Sequence, residues 1–240
     1  MTKHIFTLLA FFIILGCNPK AAKEQCNTEE IQSLETTLRT QYSKEPVEAL
    51  KTMHSLLYLY TCSNAAHHKL ANTYLNLGTL YDEKFDKLDS SILFLTKADS
   101  VFQSYKDTMG WANILKFQGL VEVRNGDPDG IQKILKGKKL YEQVNFMQGR
   151  MVSQQNEAKA RFYLQDFNLA DSLLLPCLSF WNTKHIRFQQ VFYDLIEVHQ
   201  KLNDCDSWRA ARNEIMKFTN MLSVENQDKI SELNSSLSCP

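Results

Sequence analysis

Small residues recur along this chain at an almost constant interval, and no other feature limits its fold so tightly. Ala49, Ser91, Gly130, Ala170 and Ala211 follow one another at steps of 42, 39, 40 and 41. Seven residues after three of them stand Ala98, Gly137 and Cys177. A further set, Gly78, Gly119 and Ala158, repeats at steps of 41 and 39. Self-similarity at such a period marks an array in which each unit stacks on the next. A small side chain at a fixed place means that two helices approach closely there, because a larger one would push their axes apart. Turn-forming residues are scarce, with 8 Gly and 5 Pro in 240 residues. A β-sandwich of this length needs many more turns, so the shortage favours long helices.

Periodicity and cap signals predict helices near 28–43, 46–61, 65–84, 88–105, 108–124, 129–144, 149–164, 168–182, 186–202 and 207–222, with a last helix at 225–237. Glu29 and Glu30 suit a first helical turn, where the helix dipole favours acids. Pro46 suits the first turn of the second helix. Ser90 and Asp127 are candidate N-caps. Pro176, inside the apolar run Leu173–Leu178, should kink or shorten its helix. Ile230, Leu233 and Leu237 fall on one face of the last helix, which reads as a cap on the array.

One unit carries more than spacing. Tyr74-Leu-Asn-Leu77-Gly78-Thr-Leu-Tyr81 is followed by Ser91, Leu95 and Ala98. This resembles the tetratricopeptide repeat (TPR), with Leu77-Gly78 as its Leu-Gly pair and Tyr81 as its aromatic. Gly119, Asn125-Gly126-Asp127, Gly130, Ile134 and Gly137 echo the pattern, as do Ala158, Asp166-Phe167 and Ala170. The likeness covers roughly residues 28 to 222. The period is near 40 where the TPR has 34, which a HEAT-type array matches better, but the Leu-Gly and aromatic spacing favours TPR. The resemblance implies an all-α, right-handed α-solenoid of about five antiparallel helix pairs plus a C-terminal capping helix, spanning 28–240. It also implies a concave face, lined by the first helix of each pair, that takes peptides. The positions matching that face are Asn72, Asn76, Thr79, Asn113, Lys116, Gln155, Asn156 and Lys159. Amides there could pair with a peptide backbone and lysines with its carboxylates. No acid stands among the eight, which points to a ligand of acidic or C-terminal carboxylate character.

The N-terminus has a different character. After Lys3 and His4, Ile5–Leu15 is apolar except for Thr7, the length of a signal-peptide core and too short to span a bilayer. Ile14-Leu15-Gly16-Cys17 resembles a bacterial lipobox. By that resemblance residues 1–16 are a removable signal, Cys17 is acylated and residues 17–27 form a polar tether; the alternative is an ordinary cleaved signal. Asn18 after the cysteine resembles outer-membrane retention, which implies a bacterial envelope protein on the outer membrane facing the periplasm. An exported chain can keep disulfides. Cys26 precedes the first expected helix and Cys62 ends the second, while Cys205 sits in a turn before the helix 207–222 and Cys239 follows the next helix back, so antiparallel topology brings each pair together. Cys26–Cys62 and Cys205–Cys239 are the expected bonds, with Cys177 a buried thiol.

Lys plus Arg and Asp plus Glu number 27 each, which leaves no electrostatic footprint for nucleic acid. His67-His68 are adjacent, about 100° apart on a helix, and so poorly placed to share a metal. Asp127-Pro-Asp129-Gly130 lacks the glutamate of a calcium loop. Lys133, Lys136, Lys138 and Lys139 read as a solvated helix face. No phosphate loop, nucleophile elbow or zinc-protease motif occurs. The expectation is therefore a scaffold without cofactor or metal, holding an envelope protein or peptide. The alternatives are a structural subunit of an envelope assembly and, less favoured, a hydrolase or metalloprotein.

Overall fold

A computed structural model describes residues 28–62, 67–181, 186–217, 227, 228 and 231. The expected signal, Cys17, the tether, Cys26 and Cys239 lie outside the described residues, as does the last helix 225–237 apart from helical residues 227, 228 and 231. Every regular element described is an α-helix: α1 Thr28–Lys44, α2 Pro46–Cys62, α3 His67–Phe85, α4 Leu88–Ser104, α5 Thr108–Arg124, α6 Gly130–Gln143, α7 Met147–Tyr163, α8 Phe167–Phe180, α9 Ile186–Leu202 and α10 Cys205–Met216. Each packs against the next, and the first helices of successive pairs also touch, most extensively α5 with α7.

The recurring small residues lie where the helices of a pair cross. A Cβ added to Gly119 of α5 would meet the Gly130 carbonyl at 2.3 Å, and one added to Gly130 of α6 would meet the Gly119 carbonyl at 2.4 Å. A Cβ on Gly78 would meet the Leu95 side chain at 2.6 Å and the Ser91 carbonyl at 3.2 Å. Ala158 and Ala170 are buried at the corresponding places of α7 and α8. So are Ala49, Ala98, Gly137 and Cys177 in the second helices. Around these contacts Met53, Leu77, Leu80, Leu95, Ile134, Leu174 and Ile196 form a core that runs the length of the array.

One turn geometry serves both within and between pairs. At Lys106, Gly126, Asn145, Gln165 and Asn203, φ is positive. The next amide then donates back five residues: Asp107 to Phe102, Asp127 to Glu122, Phe146 to Tyr141, Asp166 to Arg161 and Asp204 to His199. This is a Schellman ending, which satisfies carbonyls left open at a helix C-terminus. Only one of these positions is glycine, so the chain reverses direction with few glycines.

Three local expectations change. Ser90 lies inside the first turn of α4 and caps nothing, since Lys87 precedes that helix. Asp127 accepts from the Asp129 amide within its turn at 3.0 Å, while Asp107 caps α5 through the Gly110 amide at 2.9 Å. Helix α8 runs through Pro176 and ends at Phe180, at 14 residues against 17 for its partner α7.

Candidate peptide-binding groove

All eight residues assigned to a concave face sit on first helices: three on α3, two on α5 and three on α7. Their surroundings divide them. Gln155 is 2% exposed and its Nε2 donates to Asp194 Oδ2 of α9 at 2.7 Å. Lys159 Nζ lies 3.2 Å from Asp194 Oδ1. Asp194 holds the Lys159 ammonium above its usual range, while burial raises the Asp194 carboxyl against the pull of Lys159 and Gln155. Asn156 is buried and donates to the Lys116 carbonyl of α5 at 3.3 Å. Lys116 is 4% exposed. Its ammonium donates to Asn113 and sits 4.3 Å from the Phe117 ring centre, and burial pushes it down to about 7, with Arg187 adding repulsion. These five residues hold first helices to one another and to themselves.

The same kind of contact joins the earlier helices. Arg124 of α5 pairs with Asp82 of α3, and Lys69 of α3 pairs with Glu35 of α1 at 2.7 Å. Polar rungs thus link α1 to α3, α3 to α5, α5 to α7 and α7 to α9. Asp194, Glu35 and Asp82 were absent from the sequence-derived set. A signal for them existed: their partners lie 34 to 42 residues away, close to one repeat. The expected lack of acids holds for the eight positions and fails for the face they occupy, because the next helix supplies the carboxylates.

Asn72 and Asn76 stand apart. Neither side chain bonds to another described residue, and both line an open groove of about 410 Å³ between α1, α2 and α3. Leu38 and Leu56 give it an apolar floor; Arg39, Tyr42, Tyr60 and the Glu35–Lys69 pair line its walls. The Tyr60 hydroxyl donates to Glu35 at 2.5 Å, and Tyr42 and Thr79 share a hydrogen bond of 2.8 Å. The bonds from Lys69 and Tyr60 hold the Glu35 carboxyl below its ordinary range despite the opposing effect of burial. Asn72 and Asn76, one helical turn apart, present their amides along one wall.

Chemistry-bearing residues elsewhere have structural partners. Lys133 pairs with Glu122, Lys138 lies 3.1 Å from Glu157, and Lys136 covers Trp111 at 4.2 Å, so three of the four lysines expected on a solvated face pack against neighbouring elements. His67 stacks on Tyr105, and His199 lies 2.8 Å from Asp171. Cys62 and Cys205 are each disulfide-bonded. Cys177 is a buried thiol, pushed up to about 12 chiefly by burial, so it is a poor nucleophile. Among the described residues, no group of His, Cys, Asp and Glu is placed to hold a metal, and no helix is long and apolar enough to cross a membrane.

Several solved structures share this architecture. BtubC from P. vanneervenii is 13% identical, over 92% of this chain and 94% of that chain, with a TM-score of 0.52. A Podosopora anserina kinesin light chain with nearly identical TPR-like repeats is 11% identical, over 80% and 97%, with a TM-score of 0.57. The apo form of RapI is 12% identical, over 85% and 74%, with a TM-score of 0.64. No family model matches the chain, nor does any curated protein. At such identities the likeness speaks for the fold, and the chain is an all-helical TPR-like solenoid.

Proposed function

We propose that this protein is a binding scaffold of the bacterial envelope, acylated at Cys17 on the outer membrane, that holds a peptide segment of a partner protein between α1 and α3. The observation that carries this is the open groove at Asn72 and Asn76. Of the other positions, Thr79 bonds Tyr42, Gln155 and Lys159 engage Asp194, Asn156 bonds the Lys116 carbonyl, and Asn113 accepts from Lys116. In the groove two amides stand ready to bond the backbone of an extended segment, above a floor that can bury an apolar side chain. Arg39 lines the groove without a carboxylate within ion-pair distance among the described residues, which favours a segment with an acidic residue or a chain terminus. Binding of this kind requires no chemistry from the protein. The assembly-subunit alternative calls for a continuous apolar patch on the outer face. The most exposed apolar residues of the second helices are Val47, two residues before the small residue of its unit, and Tyr58, Leu93 and Leu175, nine, two and five residues after theirs, and they form no repeating stripe.

A photo-crosslinking amino acid placed at Asn76, and in a parallel strain at Leu93 of α4, tests the proposal in intact envelopes. A discrete adduct at Asn76, absent at Leu93 and lost on Arg39→Glu, is the expected result. Equal adducts at both places would transfer binding to the outer face, and none at either would remove the scaffold proposal. Charge reversal at Lys159 is a poor probe, because it would set a second carboxylate against buried Asp194 and disturb the fold.

A further inference from the structure

The two edges of the solenoid differ in chemistry. Because consecutive helices are antiparallel, one edge gathers the starts of α1, α3, α5, α7 and α9 with the ends of α2, α4, α6 and α8. The other gathers the turns inside each pair. On the first edge Tyr105 and Met109 flank the α4–α5 turn, Val144 and Met147 flank the α6–α7 turn, and Phe180 ends α8; all are 39–52% exposed. Side chains of this kind serve at a lipid–water boundary, where aromatic and apolar groups enter the headgroup layer. The ionised groups around them have mixed sign, Lys106 and Arg150 standing with Glu29, Glu30 and Glu142. The opposite edge is net acidic, with Asp86, Asp89, Asp127, Asp129, Asp204 and Asp206 exposed among fewer lysines, and its exposed apolar residues, Val47, Tyr163, Leu164 and Leu169, stand on two turns against three on the first edge.

Chain geometry selects the occupant. Thr28 opens α1 at the apolar edge. The eleven residues 17–27 that precede it span at most about 40 Å when fully extended. A 17-residue helix is about 25 Å long, so the apolar edge meets the surface with the tether slack, while seating the acidic edge there would take up more than half of its reach. We infer that the edge bearing Tyr105, Met109, Val144, Met147 and Phe180 lies against the lipid surface, seating the array upright with its acidic edge outward. This rests on acylation of Cys17. Contact of this kind is driven by apolar insertion and depends little on lipid charge, while the aspartates disfavour the inverted placement on an anionic surface. The open groove between α1 and α3 then runs from the membrane outward, accessible to a partner in the aqueous space.

The full chain, produced in a bacterium and reconstituted in phosphatidylethanolamine–phosphatidylglycerol vesicles, tests this with a small fluorescent amino acid at Met147 or at Asp127 and brominated lipid as quencher. An interfacial element sits roughly 5–10 Å into the headgroup boundary, so about two-fold or greater quenching at Met147 over Asp127 is expected. Tyr105→Glu/Met109→Glu, both exposed positions, should bring the two sites to parity without loss of helicity. Intact mass of the N-terminal peptide separates the two claims. Acylated Cys17 with equal quenching at both edges overturns the docking edge and leaves the anchor standing. Without acylation the anchor fails; selective quenching at Met147 by added vesicles would still support the edge, and no association would overturn it.

Discussion

Replacing Gly119 by alanine should destabilise the protein although alanine is the better helix former. The new Cβ would lie 2.3 Å from the Gly130 carbonyl oxygen, 2.8 Å from Ile134 Cγ1 and 3.1 Å from the Ile134 amide. Two of these three neighbours are backbone and cannot rotate away. Reaching an ordinary carbon–oxygen separation of about 3.3 Å requires α5 and α6 to part by about 1 Å. A gap of that size forfeits a quarter to a half of each dispersion contact along the seam. Overpacking of this kind costs about 1–3 kcal/mol, offset by about 1 kcal/mol of helix propensity. Backbone on both sides puts the steric cost in the upper part of its range, so a net loss of about 1–2 kcal/mol is expected. At about 2–4 °C per kcal/mol for a chain of this size, thermal unfolding followed by far-ultraviolet circular dichroism should shift down by several degrees. Ala158→Gly, the opposite change at the corresponding place of α7, should also destabilise, by about 1 kcal/mol, since it forfeits propensity and relieves no clash. A Gly119→Ala protein melting at or above the wild-type temperature would refute close helix approach as the reason for the small-residue period.

Asp194→Ala should cost about 1–3 kcal/mol, because it leaves buried Gln155 without its acceptor while Lys159, 38% exposed, can turn to water; denaturant titration checks this, and Asn72→Ala/Asn76→Ala should leave the midpoint unchanged. Burial brings Lys116 down to about 7, below its unfolded value near 10.4, so the unfolded chain binds more protons between those values and stability rises with pH across that window. Lys116→Met should flatten this rise and stabilise the protein most below pH 7, as read from melting temperatures at pH 6 and pH 9. Peptide mapping under non-reducing conditions should recover Cys26 with Cys62 and Cys205 with Cys239; each closes a loop of about 35 residues, whose reduction should cost about 3–4 kcal/mol.

The architecture was legible because close packing leaves a mark on composition. Where two backbones approach to the point that a Cβ cannot fit, as at Gly119 and Gly130, the small residue is obligatory and its period survives in the sequence. Helix boundaries followed to within two residues in the first nine helices, while α10 ends at Met216, six residues before the expected 222. The turns were less legible, since four of the five Schellman positions carry Lys, Asn or Gln in place of the glycine that this helix ending favours. The inner face was read only in part. Its residues were recognisable by register, but Gln155, Asn156 and Lys159 are spent on neighbouring helices, and a heptad-scale view of one helix does not reveal a partner such as Asp194, 35 to 39 residues away. Opposite charges one repeat apart were the overlooked signal.

The rungs between first helices also explain why the groove opens where it does. Between α7 and α9 the rung is Asp194, buried at 8% exposure and satisfied by both Lys159 and Gln155. Parting those helices would leave buried charge unpaired, at a cost of about 3–5 kcal/mol. Between α1 and α3 the rung is Glu35–Lys69, whose side chains are 28% and 41% exposed. An exposed pair of this kind contributes about 0–1 kcal/mol, because water replaces each partner when the pair separates. The array is therefore firm where its inner polar groups are sequestered and yielding where they meet solvent. On the proposed function, a ligand entering beside Asn72 and Asn76 would displace the weakest rung, and a carboxylate it brings would take over Lys69 from Glu35. Terminal repeats, with a neighbour on one side only, are the least stable part of such an array.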